Sequence, residues 1–468
     1  MIADFLDRNE VGGYVAAMRG QLESGKLDHK ATAAAQGIGA APAAPGEAVQ
    51  TVLAALPDNN TGRASSGGED VSCPFFSRAP MVSLLQTSLE DEARKSGVVA
   101  TPKDRGPFGH IVGVVEKIVH EVESVLDPTK FSTHDPDWVT KIAEATLDRI
   151  AQGNHAFNPT PAEYEITAPA LRIVVVGDWG SGLPRACQVA KLMAGEVADA
   201  EARGLPVHVV HLGDVYYSGD PVEVQRRVLA DGMWPVTVEQ AAKGVTSWAL
   251  NGNHDMYGGG WGFFDTLLGD PRFKNQNSPD GKGTSFFRIK TPSWDLIGLD
   301  TSWDTDVLSV GKSGLLADPQ ATVVEGWAAE AQREGRKVML LSHHQLVSSY
   351  DLGDIGTALP QKLAPLLDGK QITAWLWGHE HRCMGFNEVH GIPYVSCIGH
   401  GGIPVLTGPS GAAIPAPGKW EESGSFEENG SSWHKFGFAV LEFDGPKLEI
   451  RYLDDEGNPT RPPEQIGP

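Results

Sequence analysis

Arg172-Ile-Val-Val-Val-Gly-Asp-Trp-Gly180 joins a run of β-branched residues to a glycine and an aspartate. An apolar run of this length is typical of a strand that is buried on both faces. The pattern recurs in Val207-His-Val-Val-His-Leu-Gly-Asp214, Thr246-Ser-Trp-Ala-Leu-Asn-Gly-Asn-His-Asp255, Val338-Met-Leu-Leu-Ser-His-His344 and Ile372-Thr-Ala-Trp-Leu-Trp-Gly-His-Glu-His381. Because ligands collect beyond the carboxyl ends of such strands, we expect these polar side chains to meet at one edge of a sheet.

The composition limits the partners of this chain. Its 468 residues carry a formal charge of -22, and the pI is near 5.1. Nucleic acids and anionic membranes bind basic surfaces, so we expect neither as a partner. An acidic protein that acts on an anionic substrate needs local positive charge, which bound cations can supply.

The N-terminus and the cysteines indicate a cytoplasmic protein. The first ten residues contain several acids and no long apolar stretch, unlike a secretory signal. No apolar run approaches the roughly 18 residues that would predict a membrane span. The four cysteines are scattered, as in a protein from a reducing compartment. The oligomeric state is left open.

Three regions differ in their sequence pattern. Residues 1–70 are predicted to be flexible or irregular, because they are rich in Ala, Gly and Pro and poor in large apolar groups. Residues 71–165 are predicted to form a helical extension, since apolar residues recur at spacings of three or four. This extension is either packed on the main domain or placed as a lid over the sheet edge at which the polar strand-end side chains are expected to meet. Residues 166–468 form the main domain.

The main domain is predicted to alternate strands and helices. A helix is expected over Arg185–Arg203, where the apolar positions follow a helical period and Gly204 provides a stop. The strands are expected near 207–212, 246–250, 284–289, 295–300, 337–342, 372–377 and 393–398. The alternating runs 436–443 and 447–453 flank Asp444-Gly445 and predict a hairpin. Residues 407–430 are predicted to be a surface loop.

The residue types at the strand ends indicate a metal site. Carboxylate, amide oxygen and imidazole together suit Zn, Mn, Fe or Ni, whereas a structural zinc site is usually built from thiolates. The glycine before each aspartate, asparagine or histidine allows the chain to turn sharply off the strand. His379 and His381 are two residues apart, so in an extended segment each could face one of two adjacent ions.

The ordered motifs GD, GD, GNHD, SHH and GHEH resemble those of the calcineurin-like metallophosphoesterase superfamily over about residues 170–400. The resemblance implies a four-layer α/β/β/α sandwich, here with an N-terminal helical extension. It also implies that residues 166–468 form a metallophosphoesterase catalytic domain with two metal ions bridged by one aspartate.

The first two motifs are similar to those of the purple acid phosphatase branch. The superfamily's common Asp-x-His is replaced here by Asp178-Trp-Gly180, and a tyrosine stands three residues after Asp214. In this resemblance the motif position favours Tyr217 over Tyr216 as a metal ligand. The alternative is that Tyr217 lines the substrate cleft. A tyrosinate ligand favours Fe(III), paired with Fe, Zn or Mn.

The resemblance also implies a role for each residue of the site. One ion is expected on Asp178, Tyr217 and His381, the other on Asn253, His343 and His379, with Asp214 bridging them. His344 is expected to lie behind the ligands. The catalytic residues are expected to be His254 and Asp255. His254 would lie beside the leaving group, and Asp255 would orient the His254 ring, as carboxylates commonly do for functional histidines.

These residues predict a dinuclear metal-dependent hydrolase of small-molecule phosphate esters. A metal-bound hydroxide is expected to attack phosphorus while His254 assists the leaving group. A phosphomonoesterase of the acid phosphatase type is the first interpretation. The alternatives are a phosphodiesterase for cyclic nucleotides or phospholipid head groups, and a non-catalytic scaffold with the same fold.

Overall fold

The computed structural model describes residues 153–304, 314–350, 358–407, 413–428 and 431–467, together with Ala145 and Arg149. Within these residues the first eight strands are β1 (Ala162–Glu165), β2 (Ala170–Val176), β3 (Val207–His211), β4 (Thr246–Ala249), β5 (Phe287–Lys290), β6 (Trp294–Leu299), β7 (Lys337–Ser342) and β8 (Ala374–Trp377). The others are β9 (Cys383–Phe386), β10 (Tyr394–Ile398), β11 (Gly418–Glu421), β12 (Ser425–Glu428), β13 (Ser431–His434), β14 (Gly437–Asp444), β15 (Lys447–Asp454) and β16 (Glu464–Ile466).

The helices of the described residues are mostly short. The α-helices are Pro184–Ala202, Pro221–Val224, Val238–Ala242, Asn253–Tyr257, Asp318–Arg333, Ala358–Lys362 and Ala364–Asp368. Single π-helical or 3₁₀ segments cover Gln225–Leu229, Gly262–Leu267 and Pro271–Gln276. In the part of the chain that the structure describes, no helix combines the length and the apolar character needed to cross a membrane.

Two large sheets carry the fold. The six-stranded sheet has the order β16-β15-β14-β2-β3-β4, with β2, β3 and β4 parallel and β14 antiparallel to β2. The eight-stranded sheet has the order β1-β5-β6-β7-β8-β10-β9-β11, with β6, β7, β8 and β10 parallel. Parallel strands bring their carboxyl ends to the same edge, so each sheet has one edge at which the strand-end motifs gather.

Alternating side chains along β2 connect the layers. Leu171, Ile173 and Val175 belong to an apolar core that also contains residues of the second sheet, such as Leu341 and Leu376. The intervening positions face outward, where the helix Pro184–Ala202 contacts β2 and β3. Because successive strand residues point to opposite faces, an apolar run such as 173–176 covers both faces at once.

The outer face of the eight-stranded sheet is covered in the same way. Val324, Trp327 and Ala328 of the helix Asp318–Arg333 pack in a second apolar cluster with Ile297 of β6 and Leu340 of β7. The layers are therefore helix, sheet, sheet and helix. This confirms the α/β/β/α sandwich that the resemblance implies.

Six strands lie outside the expected pattern: β1, β9, β11, β12, β13 and β16. Residues 407–430 were expected to be a surface loop, yet 418–421 form β11, an edge strand that pairs with β9, and 425–428 form β12. β1 precedes residue 166 and pairs with β5, so the sheet includes residues before that position. The predicted flexible segment 1–70 and nearly all of the helical extension 71–165 lie outside the described residues.

Arg172 joins the first helix to the six-stranded sheet. Its side chain is buried, and its guanidinium group pairs with Glu442 of β14 and with Glu196 and Asp199 of the helix Pro184–Ala202. A buried guanidinium is stable only when its N–H groups have acceptors and its charge has partners. Arg172 thus fixes the helix on the sheet through charge as well as through apolar packing.

We expect Arg172→Met to lower the free energy of unfolding by about 3 kcal/mol, because it leaves carboxylates without their buried partner. Chemical denaturation followed by circular dichroism measures this change. Arg203→Met is the matched control, because Arg203 is half exposed and pairs with the same Asp199 and Glu442. It should remain close to wild type, since exposed ion pairs contribute little. Equal losses in the two variants would contradict the assigned role of Arg172.

Candidate metal centre

The strand-end residues come from both sheets. Asp178 follows β2, Asp214 follows β3, and Asn253 begins the helix after β4 in the six-stranded sheet. His343 follows β7, and His379 and His381 follow β8, in the eight-stranded sheet. The expectation of one sheet edge is therefore corrected: two edges meet and bring these side chains together.

The first cluster of donor atoms surrounds the hydroxyl of Tyr216. This oxygen lies 2.9 Å from Asp178 Oδ1, 3.1 Å from Asp214 Oδ2 and 2.8 Å from His381 Nε2. His381 Nε2 is also 3.4 Å from Asp178 Oδ1. Donor atoms that share one ion at about 2.1 Å lie roughly 3 Å from one another. The spacing of this cluster is that of a single metal site.

Tyr217, the tyrosine expected in this cluster, points elsewhere. Its ring lies 5.2 Å from the guanidinium carbon of Arg227, and its backbone carbonyl accepts a hydrogen bond from His254 Nδ1 at 2.5 Å. Tyr216 therefore takes the place that the motif position assigned to Tyr217. The sequence contains both tyrosines, and their spacing from Asp214 alone does not distinguish them.

The glycine at position 180 explains how Tyr216 reaches the cluster. Gly180 pairs with Val215 in an isolated parallel bridge, and Tyr216 N donates to Gly180 O at 3.1 Å. A Cβ at position 180 would lie 2.8 Å from Val215 Cα, which is closer than real Cβ contacts. The missing side chain at position 180 therefore lets the next loop lie directly on the first one.

The second cluster is formed by an amide and two imidazoles. Asn253 Oδ1 lies 2.9 Å from both His343 Nε2 and His379 Nδ1, and the two nitrogens are 3.1 Å apart. His343 Nδ1 is 3.0 Å from Leu212 O. A carbonyl can only accept, so the proton is on Nδ1 and the lone pair of Nε2 faces the cluster. This is the tautomer that a metal-binding histidine needs.

Asp214 belongs to both clusters. Its Oδ2 faces Tyr216, whereas its Oδ1 lies 3.4 Å from His343 Nε2 and accepts from His254 N at 3.0 Å. One carboxylate thus offers one oxygen to each group of donors. The arrangement agrees with the bridging aspartate implied by the resemblance.

Four of these residues have left-handed backbone conformations. The φ angles are 55° at Asp178, 73° at Asp214, 69° at His379 and 53° at His381. Such angles are unfavourable for residues with a Cβ, and they concentrate at functional sites where the surrounding structure enforces them. His379 and His381 do face different clusters, but through these turns and not through the extended segment expected from the sequence.

Burial and neighbouring charges shift the pKa values of the residues at the site. Burial raises the pKa of Asp214 well above its usual value, and the charges of Asp178 and Asp255 raise it further. Burial also raises the pKa of Tyr216, and the carboxylates of Asp178 and Asp214 raise it further. Burial lowers the pKa of His343, as do the nearby His379 and His344. Bound cations would oppose the raised pKa values of Asp214 and Tyr216 and would lower that of His343 further.

Asp255 was expected to orient the His254 ring, but the contacts described for it are to backbone N–H groups, and a backbone carbonyl contacts the ring. The Asp255 carboxylate accepts from the backbone N–H groups of Gly252, Asp214 and Val215 at 2.7, 3.0 and 3.2 Å. It therefore joins the second and third loops, while the Tyr217 carbonyl orients the His254 ring. Burial lowers the pKa of His254 to about 3 and raises that of Asp255 to about 7.

His344 lies beside the second cluster. Its Nδ1 is 3.0 Å from Thr301 Oγ1 and 3.3 Å from Ser302 Oγ. One donor atom each from His343, His344 and His379 lies within 4.8 Å of the others. His344 is thus close to the ligand atoms and is held by hydroxyl groups from the loop after β6.

Residues 153–158 lie along the loops beside the site. His155 N donates to Gly259 O at 2.8 Å, and Trp303 Nε1 donates to His155 O at 2.8 Å. The His155 ring stacks on Phe264 with centroids 4.5 Å apart. This segment therefore links the loop that follows His254 to the loop that contacts His344. The sequence contains no pattern that predicts this connection.

The donor atoms fit two metal ions. Each cluster combines oxygen and nitrogen donors, and no thiol takes part in either. Three acids at this site, Asp178, Asp214 and Asp255, are buried, and no lysine or arginine of the described residues forms an ion pair with them. Bound cations would stabilise them. The residues that could hold the ions are Asp178, Asp214, Tyr216, Asn253, His343, His379 and His381.

We expect Gly252→Ala to lose the metal ions that the wild-type protein retains. A Cβ at this position would lie 1.9 Å from Asp214 Oδ1 and 2.7 Å from Asp214 N, so the shared carboxylate must move. Elemental analysis of the purified variant measures the loss. Gly195→Ala is the control, because its Cβ meets nothing within 4 Å in the helix Pro184–Ala202. Full metal content in Gly252→Ala would contradict the geometry described for Asp214.

Comparisons with known proteins agree with this geometry. Residues 171–383 match the family model described as calcineurin-like phosphoesterase. Tartrate-resistant acid phosphatase type 5 of Oryctolagus cuniculus is 28% identical over 247 residues, covering 49% of this chain and 73% of the relative. The protein of that name from Homo sapiens is 26% identical over 252 residues, covering 50% and 74%.

Among solved structures, a dimetal phosphatase from Danio rerio has a TM-score of 0.42 and 14% sequence identity. The alignment covers 64% of this chain and 99% of that structure. A likeness of this size carries no argument about activity. The family model and the relatives confirm the resemblance indicated by the strand-end motifs. Residues 171–383 are therefore similar to calcineurin-like phosphoesterases, and about half of the chain is similar to tartrate-resistant acid phosphatases.

Proposed function

We propose that this protein hydrolyses phosphate monoesters with two metal ions held by the clusters around Asp214. The sharing of one carboxylate between two groups of donors is the observation that carries the proposal. When bound, two such ions lower the pKa of a water molecule and offset the charge of a transferred phosphoryl group. The similarity to tartrate-resistant acid phosphatases supports a small phosphomonoester as the substrate.

Different residues would hold each of the two ions. Asp178, Tyr216 and His381 would hold one ion, and Asn253, His343 and His379 would hold the other. Asp214 would contact both and fix their separation. Asp255 holds the backbone of the second and third loops together, so it positions the ligands without joining them.

His254 is the proposed catalytic side chain beside the leaving group. Its ring lies 4.5 Å from that of Tyr216 and 4.8 Å from that of Tyr257, measured between centroids. The Tyr217 carbonyl accepts from Nδ1, so Nε2 can donate to the leaving oxygen only when the ring is protonated on both nitrogens. The negative charge of a bound phosphate would favour that form and oppose the lowering of the His254 pKa by burial. The substrate would then enter between the two clusters and this histidine.

A tyrosine among the donors favours iron in the first site. An ionised phenol is a hard anionic ligand, and it suits Fe(III) better than the neutral imidazole found at this position in other members of the superfamily. We propose Fe(III) there, with Fe, Zn or Mn in the second site.

Variants of the ligands and of His254 test the function. We expect Asp214→Asn and His343→Ala to reduce both metal content and turnover of a chromogenic phosphomonoester. His254→Ala should keep both ions and lose roughly 100-fold or more in kcat, because it removes only proton transfer or hydrogen bonding to the leaving group. Metal analysis and steady-state kinetics on the same samples separate the two effects.

Substrate choice is tested with the wild-type protein loaded with Fe, Mn or Zn. Faster turnover of the monoester than of a bis-ester supports the proposal, and the reverse preference would replace it with a phosphodiesterase. Retained ions with no turnover of either substrate would favour a non-catalytic role. Full activity of folded Asp214→Asn would show that the site is elsewhere.

A separate pair of variants identifies the tyrosine ligand. We expect the iron-loaded protein to have a visible absorption band from tyrosinate-to-iron charge transfer. Tyr216→Phe should abolish this band, because Tyr216 alone of the two places its hydroxyl among the donors. Tyr217→Phe, the matched control, should retain it. Loss of the band in Tyr217→Phe alone would instead support the ligand favoured by the motif position.

A further inference from the structure

Asn253 presents two chemically different atoms to its surroundings. Its Oδ1 lies 2.9 Å from His343 Nε2 and from His379 Nδ1, in the second cluster. Its Nδ2 points the other way and donates to the hydroxyl of Tyr257 at 2.8 Å. The amide is therefore held between a group of metal donors and a tyrosine.

Only one orientation of this amide can bind a cation. The oxygen is an acceptor with lone pairs, whereas the NH₂ group only donates hydrogen bonds. When the oxygen is on an ion, both N–H groups must point away from it. In a buried site these N–H groups need an acceptor, because an unsatisfied buried donor is unfavourable. Asn253 is only 4% exposed, so a protein acceptor has to serve.

Tyr257 is placed to be that acceptor. It follows Asn253 by four residues in the helix Asn253–Tyr257, so the two side chains lie on the same helical face. The end of this helix is held from outside, since Arg149 donates to Met256 O at 3.1 Å and His155 N donates to Gly259 O. These contacts hold the end of the helix that carries Tyr257.

We propose that Tyr257 is a positioning residue, whose hydroxyl holds the Asn253 amide with its oxygen toward the second metal ion. The inference rests on the dinuclear site proposed above. It has a specific consequence for metal binding. In the metal-free protein the amide can rotate, so that Nδ2 donates to His343 Nε2 while Oδ1 accepts from the Tyr257 hydroxyl; only with the oxygen on an ion must the hydroxyl act as the acceptor.

Tyr257→Phe isolates this hydroxyl, because it keeps the ring that packs against His254 at 4.8 Å. We expect calorimetric titration of the metal-free variant with Mn²⁺ to show one site weakened by about tenfold, as for other groups that support metal ligands. The other site should keep its wild-type affinity. The metal-free variant should melt at a somewhat lower temperature, because one buried amide group loses its partner, and phosphomonoesterase activity should recover at high Mn²⁺ concentration.

Tyr394→Phe is the matched control. Its side chain is partly buried, and its hydroxyl lies 2.5 Å from the Tyr452 hydroxyl, in the sheets and outside both clusters. Wild-type affinity at both sites is expected for this variant. Equal weakening of both sites in Tyr257→Phe would show a merely structural role and overturn the inference.

The same titration separates this inference from the proposed function. If wild-type protein binds no Mn²⁺, the dinuclear site fails and the inference fails with it. If wild type binds two ions and Tyr257→Phe binds them equally well, only the role of Tyr257 is overturned.

Discussion

The gathering of buried acidic groups around Asp214 is the constraint on which the site depends. Asp178, Asp214 and Asp255 are all buried, and among the described residues they contact backbone N–H groups, a phenol and histidines but form no ion pair with lysine or arginine. Such an arrangement is costly unless positive charge arrives from outside the chain. The surrounding fold, with two sheets fixed by a common apolar core, supplies the rigidity that keeps these groups together.

Much of this could be predicted from the sequence, because the relevant signals are local. β-Branched runs predicted the buried strands, and a glycine followed by Asp, Asn or His marked the points where ligands leave them. The order of these motifs indicated the family. β11 was missed because Gly418–Glu421 has no apolar alternation, and it forms only through pairing with β9.

The remaining features depend on contacts between segments far apart in sequence. The position of Tyr216 follows from the bridge between Gly180 and Val215, which no spacing rule describes. Asp255 binds backbone groups from two loops, although its place beside His254 in the sequence had indicated a partnership with that ring. Local patterns thus identified which residues meet, whereas tertiary contacts decided which atoms face each other.

The close contact of Gly180 with Val215 also limits how this site could change over generations. Exchanging the phenol for an imidazole at the first metal would need a histidine at position 180, where even a methyl group has no room beside the Val215 backbone. The two loops would have to separate at the same time, which would withdraw Tyr216. Neither single substitution would leave a complete set of donors at the proposed site, so the exchange would require coordinated changes in both loops.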